Sequence, residues 1–167
     1  ADTVTTLSSS ADTAVYGDSL VFTAYVGVAA PGAGSPTGTV LFYDGDLLLD
    51  SEMLTGTGIA VSDAIAGLSA GDHLITVSYL GDEDFASSVS SVMTITITPA
   101  AVTVTADAQS KTYGDPDPTL TYQITSGSLV GNDTFSGELT RVAGEDVGSY
   151  AIEQGSLALS SNYTLTY

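Results

Sequence analysis

The chain contains no cysteine and no tryptophan, and only two of its 167 residues, Lys111 and Arg141, are lysine or arginine. Without cysteine there can be no disulfide, no thiolate metal site and no thiol nucleophile. This absence fits an extracellular protein that relies on core burial rather than on oxidation, and it leaves a cytosolic one open. Against the two cations stand 20 acidic residues, a formal net charge of −18. Such a polyanion repels phosphate backbones and lacks the basic patch that nucleic acid requires, so nucleic-acid binding is excluded and anionic membrane surfaces are disfavoured. No apolar run reaches the ~18 residues of a membrane-spanning helix, and no basic segment precedes an apolar one at the start. With a single histidine, His73, multi-histidine metal sites and His-paired nucleophiles have nothing else to draw on. No nucleophile elbow, phosphate loop or zinc-protease pattern occurs, and Gly56-Thr57-Gly58 lacks the third glycine of a dinucleotide fingerprint. Paired carboxylates for glycoside hydrolysis would need a cleft, normally with aromatic platforms, and nothing in the sequence marks one. No catalytic, cofactor-binding or metal-ligating residue is assigned, and His73 is expected to be a packed, hydrogen-bonded residue.

What is present is β-forming. Apolar residues make up 43% of the chain, enough to build a core, and short alternating runs rich in Thr, Val and Ile recur between turn clusters. Leu20 to Val26 places Leu20, Phe22, Ala24 and Val26 on one face; His73 to Tyr79 does the same with Ile75, Val77 and Tyr79. Gly38 to Tyr43 is closed by Asp44-Gly45, a hairpin dipeptide, with Leu47 to Asp50 folding back. Val4 to Leu7, Gly58 to Ile65 and a twelve-residue run, Ser87 to Thr98, complete about seven strands, the density of an immunoglobulin-like sandwich. At ~3.3 Å per residue the last run predicts a strand of about 40 Å.

Pro99 cannot donate to a ladder, and a fresh β run begins at Val102. The expected organisation is therefore a sandwich over 1-98 and a second small β-rich module over 99-167, for which a β-grasp-like sheet is one candidate. The connector has no flexible composition, so modules stacked end to end would make a rod. Strands are expected at Ala101 to Ala106, Leu120 to Ile124, Phe135 to Arg141, Gly148 to Ile152 and Tyr163 to Tyr167, with a helical turn in Ser128 to Thr134. Tyr16-Gly17-Asp18 recurs as Tyr113-Gly114-Asp115. It reads as a repeated turn device: glycine permits the reversal, aspartate bonds the backbone, and tyrosine anchors the sheet end.

Several ordered motifs carry a resemblance. Val15-Tyr16-Gly17-Asp18-Ser19, Pro36-Thr37-Gly38-Thr39-Val40, Phe42-Tyr43-Asp44-Gly45, Ala70-Gly71-Asp72-His73 and Tyr79 with Gly81-Asp82 and Phe85 resemble the bacterial Ig-like domain type 3 repeats of large surface proteins. Lys111-Thr112-Tyr113-Gly114-Asp115, Asp133-Thr134-Phe135-Ser136-Gly137, Val147-Gly148 with Tyr150, and Asn162-Tyr163-Thr164-Leu165 are similar to MBG domains of the YGX type. The resemblance implies an extracellular, cell-surface location and a stalk or adhesive module of an adhesin or fibre, without catalytic residues. It also implies one further strand beyond the position of Tyr167, hence an open edge or a strand received from a neighbouring copy.

The acidity itself reads first as solubility in a salty medium. The sharper alternative is calcium, which needs several converging oxygens; its candidate ligands are Asp44, Asp46 and Asp50, then Asp82, Glu83 and Asp84, then Asp115 with Asp117. Folding is expected to need no cofactor. Lys111 raises the further idea of an intramolecular isopeptide bond. Expected partners are neighbouring modules or further copies of the chain, with a glycan or a host or cell-surface protein as the ligand if the modules bind rather than space.

Overall fold

A computed structural model describes all 167 residues. The chain is all-β, and its contacts divide it into two compact units, Ala1–Thr98 and Pro99–Tyr167.

The first unit contains β1 (Thr3–Ser9), β2 (Thr13–Val15), β3 (Phe22–Val28), β4 (Thr39–Asp44), β5 (Leu47–Met53), β6 (Ile59–Val61), β7 (Gly71–Tyr79), β8 (Ser88–Val89) and β9 (Met93–Thr98). One sheet has the order β1-β3-β6; the other runs β2-β9-β7-β4-β5, with β8 also on β7. Alternation supplies the core between them. Phe22, Ala24 and Val26 from β3 and Ala60 from β6 form one buried cluster with Val40 and Phe42 of β4, Ile75, Val77 and Tyr79 of β7, and Ile95 and Ile97 of β9. At one margin the two sheets are joined by hydroxyls: Ser88 Oγ lies 2.7 Å from Thr3 Oγ1 and 2.7 Å from Thr5 Oγ1.

Four expectations for this unit need correction. The run Ser87 to Thr98 is two strands rather than one. β8 pairs with β7 through Ser78↔Val89, but β9 resumes at Ile75↔Met93, one residue out of step. The extra residue makes a bulge, and buried Ser90 sits at it. Ser90 N–H donates to Val77 O at 2.9 Å, while Val77 N–H turns to Ser90 Oγ at 3.0 Å. The hydroxyl thus replaces the carbonyl that a regular ladder would present, and the strand bends. Gly58 to Ile65 fails in the same way, with only Ile59–Val61 regular. There Ser62 N–H donates to Phe22 O at 2.9 Å and Phe22 N–H donates to Ser62 Oγ at 3.0 Å. Beyond that point Leu20 is an isolated bridge to Ile65, so β3 starts at Phe22 instead of Leu20. The hairpin's two loop residues are Gly45 and Asp46, since Asp44 pairs with Leu47 and Gly45 takes φ +56°.

The second unit holds β10 (Ala100–Ala106), β11 (Tyr122–Ser126), β12 (Thr140–Arg141), β13 (Ile152–Glu153) and β14 (Tyr163–Thr166). Its main sheet has the order β11-β10-β14, with β10 antiparallel to β11 and parallel to β14. A parallel pairing of first and last strands is the central feature of a β-grasp sheet, here without a helix. β12 and β13 form a separate two-stranded ribbon. The core is small: Val102, Val104, Leu139, Leu157 and Tyr163 are buried, beside an edge-to-face contact of Tyr122 with Phe135. The expected strands Phe135 to Arg141 and Gly148 to Ile152 shrink to Thr140–Arg141 and Ile152–Glu153, and Leu120 to Ile124 moves on to Tyr122–Ser126. Ser128 to Thr134 forms a turn at Gly131-Asn132 and no helix. This loop is held by Tyr163, whose hydroxyl accepts from Val130 N–H at 2.8 Å and donates to Asp133 at 2.6 Å.

Candidate functional site

His73 opens the buried stretch of β7 opposite the β4 hairpin. Its Nδ1 lies 2.6 Å from Asp44 Oδ2 and its Nε2 2.8 Å from Ser69 O, while Asp44 Oδ1 accepts from Leu74 N–H at 3.2 Å. Burial, the largest single influence, opposes the charged ring. The Ser69 carbonyl and the Asp44 carboxylate, with Asp72 near by, outweigh it and hold the pKa above its ordinary value. With both ring nitrogens facing acceptors, the His73 side chain is a clip between the hairpin and the loop before β7, and neither nitrogen is free of a partner.

Asp82 is engaged as fully. Its Oδ2 accepts from Thr37 N–H at 2.9 Å and Thr37 Oγ1 at 2.6 Å; its Oδ1 accepts from Asp84 and Phe85 N–H, both at 2.9 Å. The Thr37 hydroxyl is the main cause of a pKa far below the usual carboxylate range; desolvation opposes the shift and the backbone amides add to it. Thr37 O in turn accepts from the buried Tyr79 hydroxyl at 2.7 Å. Asp82 therefore joins two loops to the core. Its oxygens are occupied, and the carboxylates of Asp82, Glu83 and Asp84 do not converge.

The group that does converge is Asp50, Glu52 and Asp63, with carboxylate oxygens within 4.8 Å of one another. Asp50 is opposite Phe42 and Glu52 opposite Val40, so both lie on the core-facing side of edge strand β5. Inward charges on an edge strand oppose pairing with another chain. Asp50 also ties β5 to the segment after β6, its Oδ2 accepting Asp63 N–H at 2.8 Å, while its Oδ1 accepts Ser51 N–H of its own strand at 2.8 Å. Sequence reasoning grouped Asp50 with Asp44 and Asp46. Only the alternating Asp50-Ser51-Glu52 pattern on an edge strand could have signalled the true grouping, and Asp63 arrives from the irregular segment after β6.

In the second unit both cations of the chain meet two carboxylates. Arg141 Nε and Nη2 donate to the two oxygens of Asp117 at 2.8 and 3.0 Å, Nη2 also to Glu145 at 3.0 Å, and Nη1 to Val142 O and Gly144 O at 2.9 and 2.8 Å. Its guanidinium carbon stands 5.3 Å from the Tyr150 ring centroid. Gly144 is required beside that ring, because a Cβ there would come within 2.2 Å of Tyr150. Lys111 Nζ adds contacts of 2.6 Å to Asp117 and 3.5 Å to Glu145. The Arg141 and then the Lys111 hydrogen bonds hold Asp117 down at about 2, while Asp117 raises Lys111. Amide formation would need a neutral amine beside a neutral acid, so this arrangement opposes an isopeptide bond and makes an ionic clasp. Asp117 is thereby withdrawn from the calcium candidates.

The two Tyr-Gly-Asp turns share a backbone. Asp18 N–H donates to Val15 O at 2.9 Å and Asp115 N–H to Thr112 O at 3.0 Å, across Gly17 at φ +98° and Gly114 at φ +90°. Their tyrosines differ: Tyr16 packs against the core cluster, whereas Tyr113 is 72% exposed.

Among curated proteins, none matches the chain. Residues 6–98 match the bacterial Ig-like domain (group 3), and residues 102–167 match the MBG domain of YGX type. Both are families of non-catalytic modules typical of bacterial surface and adhesin-type proteins. The chain belongs to the bacterial Ig-like (group 3) family and carries an MBG domain of YGX type behind its Ig-like domain.

Proposed function

We propose that this pair of modules is a spacer in a secreted bacterial surface adhesin or extracellular fibre. The observation that carries the reading is the employment of the reactive side chains. His73, Asp82, Asp117, Lys111 and Arg141 each hold loops of their own unit. Such links suit a module that must stay folded under load. The outer edge of β14 has no strand on it, which supports contact with a neighbouring module or another copy by strand addition. Single-molecule stretching tests the spacer reading: two separate unfolding events at forces above those of a mechanically weak domain support it, and unfolding at negligible force overturns it. Light scattering across a concentration series tests the edge, with growth in mass expected and a strict monomer at high concentration against it.

A further inference from the structure

We propose that the outer face of the β1-β3-β6 sheet carries a subsite for a neutral oligosaccharide, with the Tyr25 ring as its platform. The inference goes beyond the spacer reading and does not depend on it. Tyr25 points away from the core, between buried Ala24 and Val26, and is 50% exposed. Its ring does not stand off the sheet. A Cβ placed on Gly27 would lie 3.1 Å from Tyr25 Cε1 and 3.3 Å from its hydroxyl, and one on Gly58 would lie 3.9 Å from Cε2. The ring thus lies close to the sheet, against Gly27, the next outward position of its own strand, and near Gly58, which immediately precedes β6. Packing against these glycines covers part of the ring; half of the residue stays exposed.

That ring borders a cleft of about 310 Å³ whose remaining wall includes Ser35, Pro36, Thr57 and backbone of the glycine-rich segment after β3. A flat aromatic among hydroxyls and peptide groups matches a sugar, which offers one face of C–H bonds and a rim of hydroxyls. With one aromatic and little other apolar wall, the cleft lacks the lane of aromatic pockets that a proline-rich peptide uses. Charge fixes the class further. The first unit has twelve carboxylates and neither lysine nor arginine, so uronate or sialylated chains would meet repulsion with no cation to pair them.

The test is an amide-NMR titration of the whole chain with cellotetraose, mannotetraose and N-acetylchitotetraose, and with tetragalacturonate as the anionic counterpart. At millimolar concentration at least one neutral sugar should shift the amides of Gly27, Ser35 and Gly58, and tetragalacturonate should not. Tyr25→Phe should bind within a few-fold of the parent, while Tyr25→Ala should weaken binding about tenfold or more. Should Tyr25→Ala disturb the sheet, Ala33→Trp on the exposed loop blocks the cleft and should abolish the shifts. The proposal is overturned if none of the three neutral sugars shifts these amides, if the shifts fall elsewhere, if tetragalacturonate binds as well, or if the blocking variant binds like the parent.

Discussion

The two units close the same kind of turn and are held together by different means. In the first, Tyr16 beside its Tyr-Gly-Asp turn packs on a cluster of twelve buried residues between two sheets; in the second, Tyr113 is exposed and only five residues are buried. The first unit carries twelve carboxylates and no lysine or arginine, the second eight carboxylates and both cations. A unit that buries a thick apolar layer tolerates unrelieved negative charge around it. A unit with one three-stranded sheet over a thin core relies instead on the Arg141 clasp and on Tyr163 for the loops that sheet hydrogen bonds leave free. Small domains bury a smaller share of their surface, so each polar link forms a larger part of the margin.

Core truncation should test that contrast with the largest effect. Phe42→Ala, at a position with no exposure, is expected to cost about 3–5 kcal/mol and leave the first unit folded but less stable. Leu157→Ala is expected to cost about 2–5 kcal/mol and to unfold the second unit at ordinary temperature. Amide spectra report the units separately. A second unit that stays folded as Leu157→Ala while the first is lost as Phe42→Ala would reverse the comparison.

Next in size are the two buried serines. Ser62→Ala and Ser90→Ala each leave a buried N–H, of Phe22 or Val77, without its acceptor; each should cost about 1–3 kcal/mol. Denaturant midpoints measure this. A change within error at both positions would mean that the bulged strands recover regular carbonyl partners.

These serines also mark where the sequence stopped being legible. Alternation located β3, β4, β7 and β10 well, because Phe22, Val40, Val77 and Val102 each sit on a buried face with period two. Serine, however, reads as a turn residue, and a side-chain hydroxyl standing in for a backbone carbonyl depends on a partner strand 40 or 13 residues away. In the second unit much of Phe135 to Ile152 is irregular chain fixed by Arg141, a long-range ionic contact that no periodicity encodes. The family resemblance was legible from ordered motifs. Yet the roles of Asp82 and Asp117 as occupied anchors, rather than open metal ligands, follow only from geometry.

Smaller effects come from titration, in opposite directions for the two units. The folded pKa of His73 is raised, so its contribution is fully present below the ordinary value near 6.5 and is lost as pH rises through the folded value. The first unit's melting temperature should therefore decline on going from pH 6 to pH 9, and His73→Gln should flatten that slope. The folded pKa of Asp117 is lowered to about 2. Its contribution is present above the unfolded value near 3.8 and lost as pH falls towards 2, so the second unit should weaken in acid. Arg141→Lys, which cannot keep the paired contact to Asp117, should lower the second unit's melting temperature at neutral pH and leave the first unchanged. Equal sensitivity of both units to either variant would contradict the division.

Removal of calcium should have the smallest effect of all. A structural calcium ion needs six to eight oxygen ligands, and the one convergent group, Asp50, Glu52 and Asp63, offers three carboxylates, of which Asp50 already accepts two backbone amides. Asp82 and Asp117, two of the carboxylates the sequence offered as ligands, are bound by protein donors. Chelator should leave both melting temperatures unchanged within a degree or two, against the tens of degrees seen when a metal supplies folding energy. Glu52→Gln separates the alternatives at that cluster. If the three carboxylates only repel, removing one charge raises the first unit's melting temperature in chelator and in calcium alike. If they hold an ion, the same substitution lowers it in calcium and raises it in chelator, and that crossing would make the cluster a metal site.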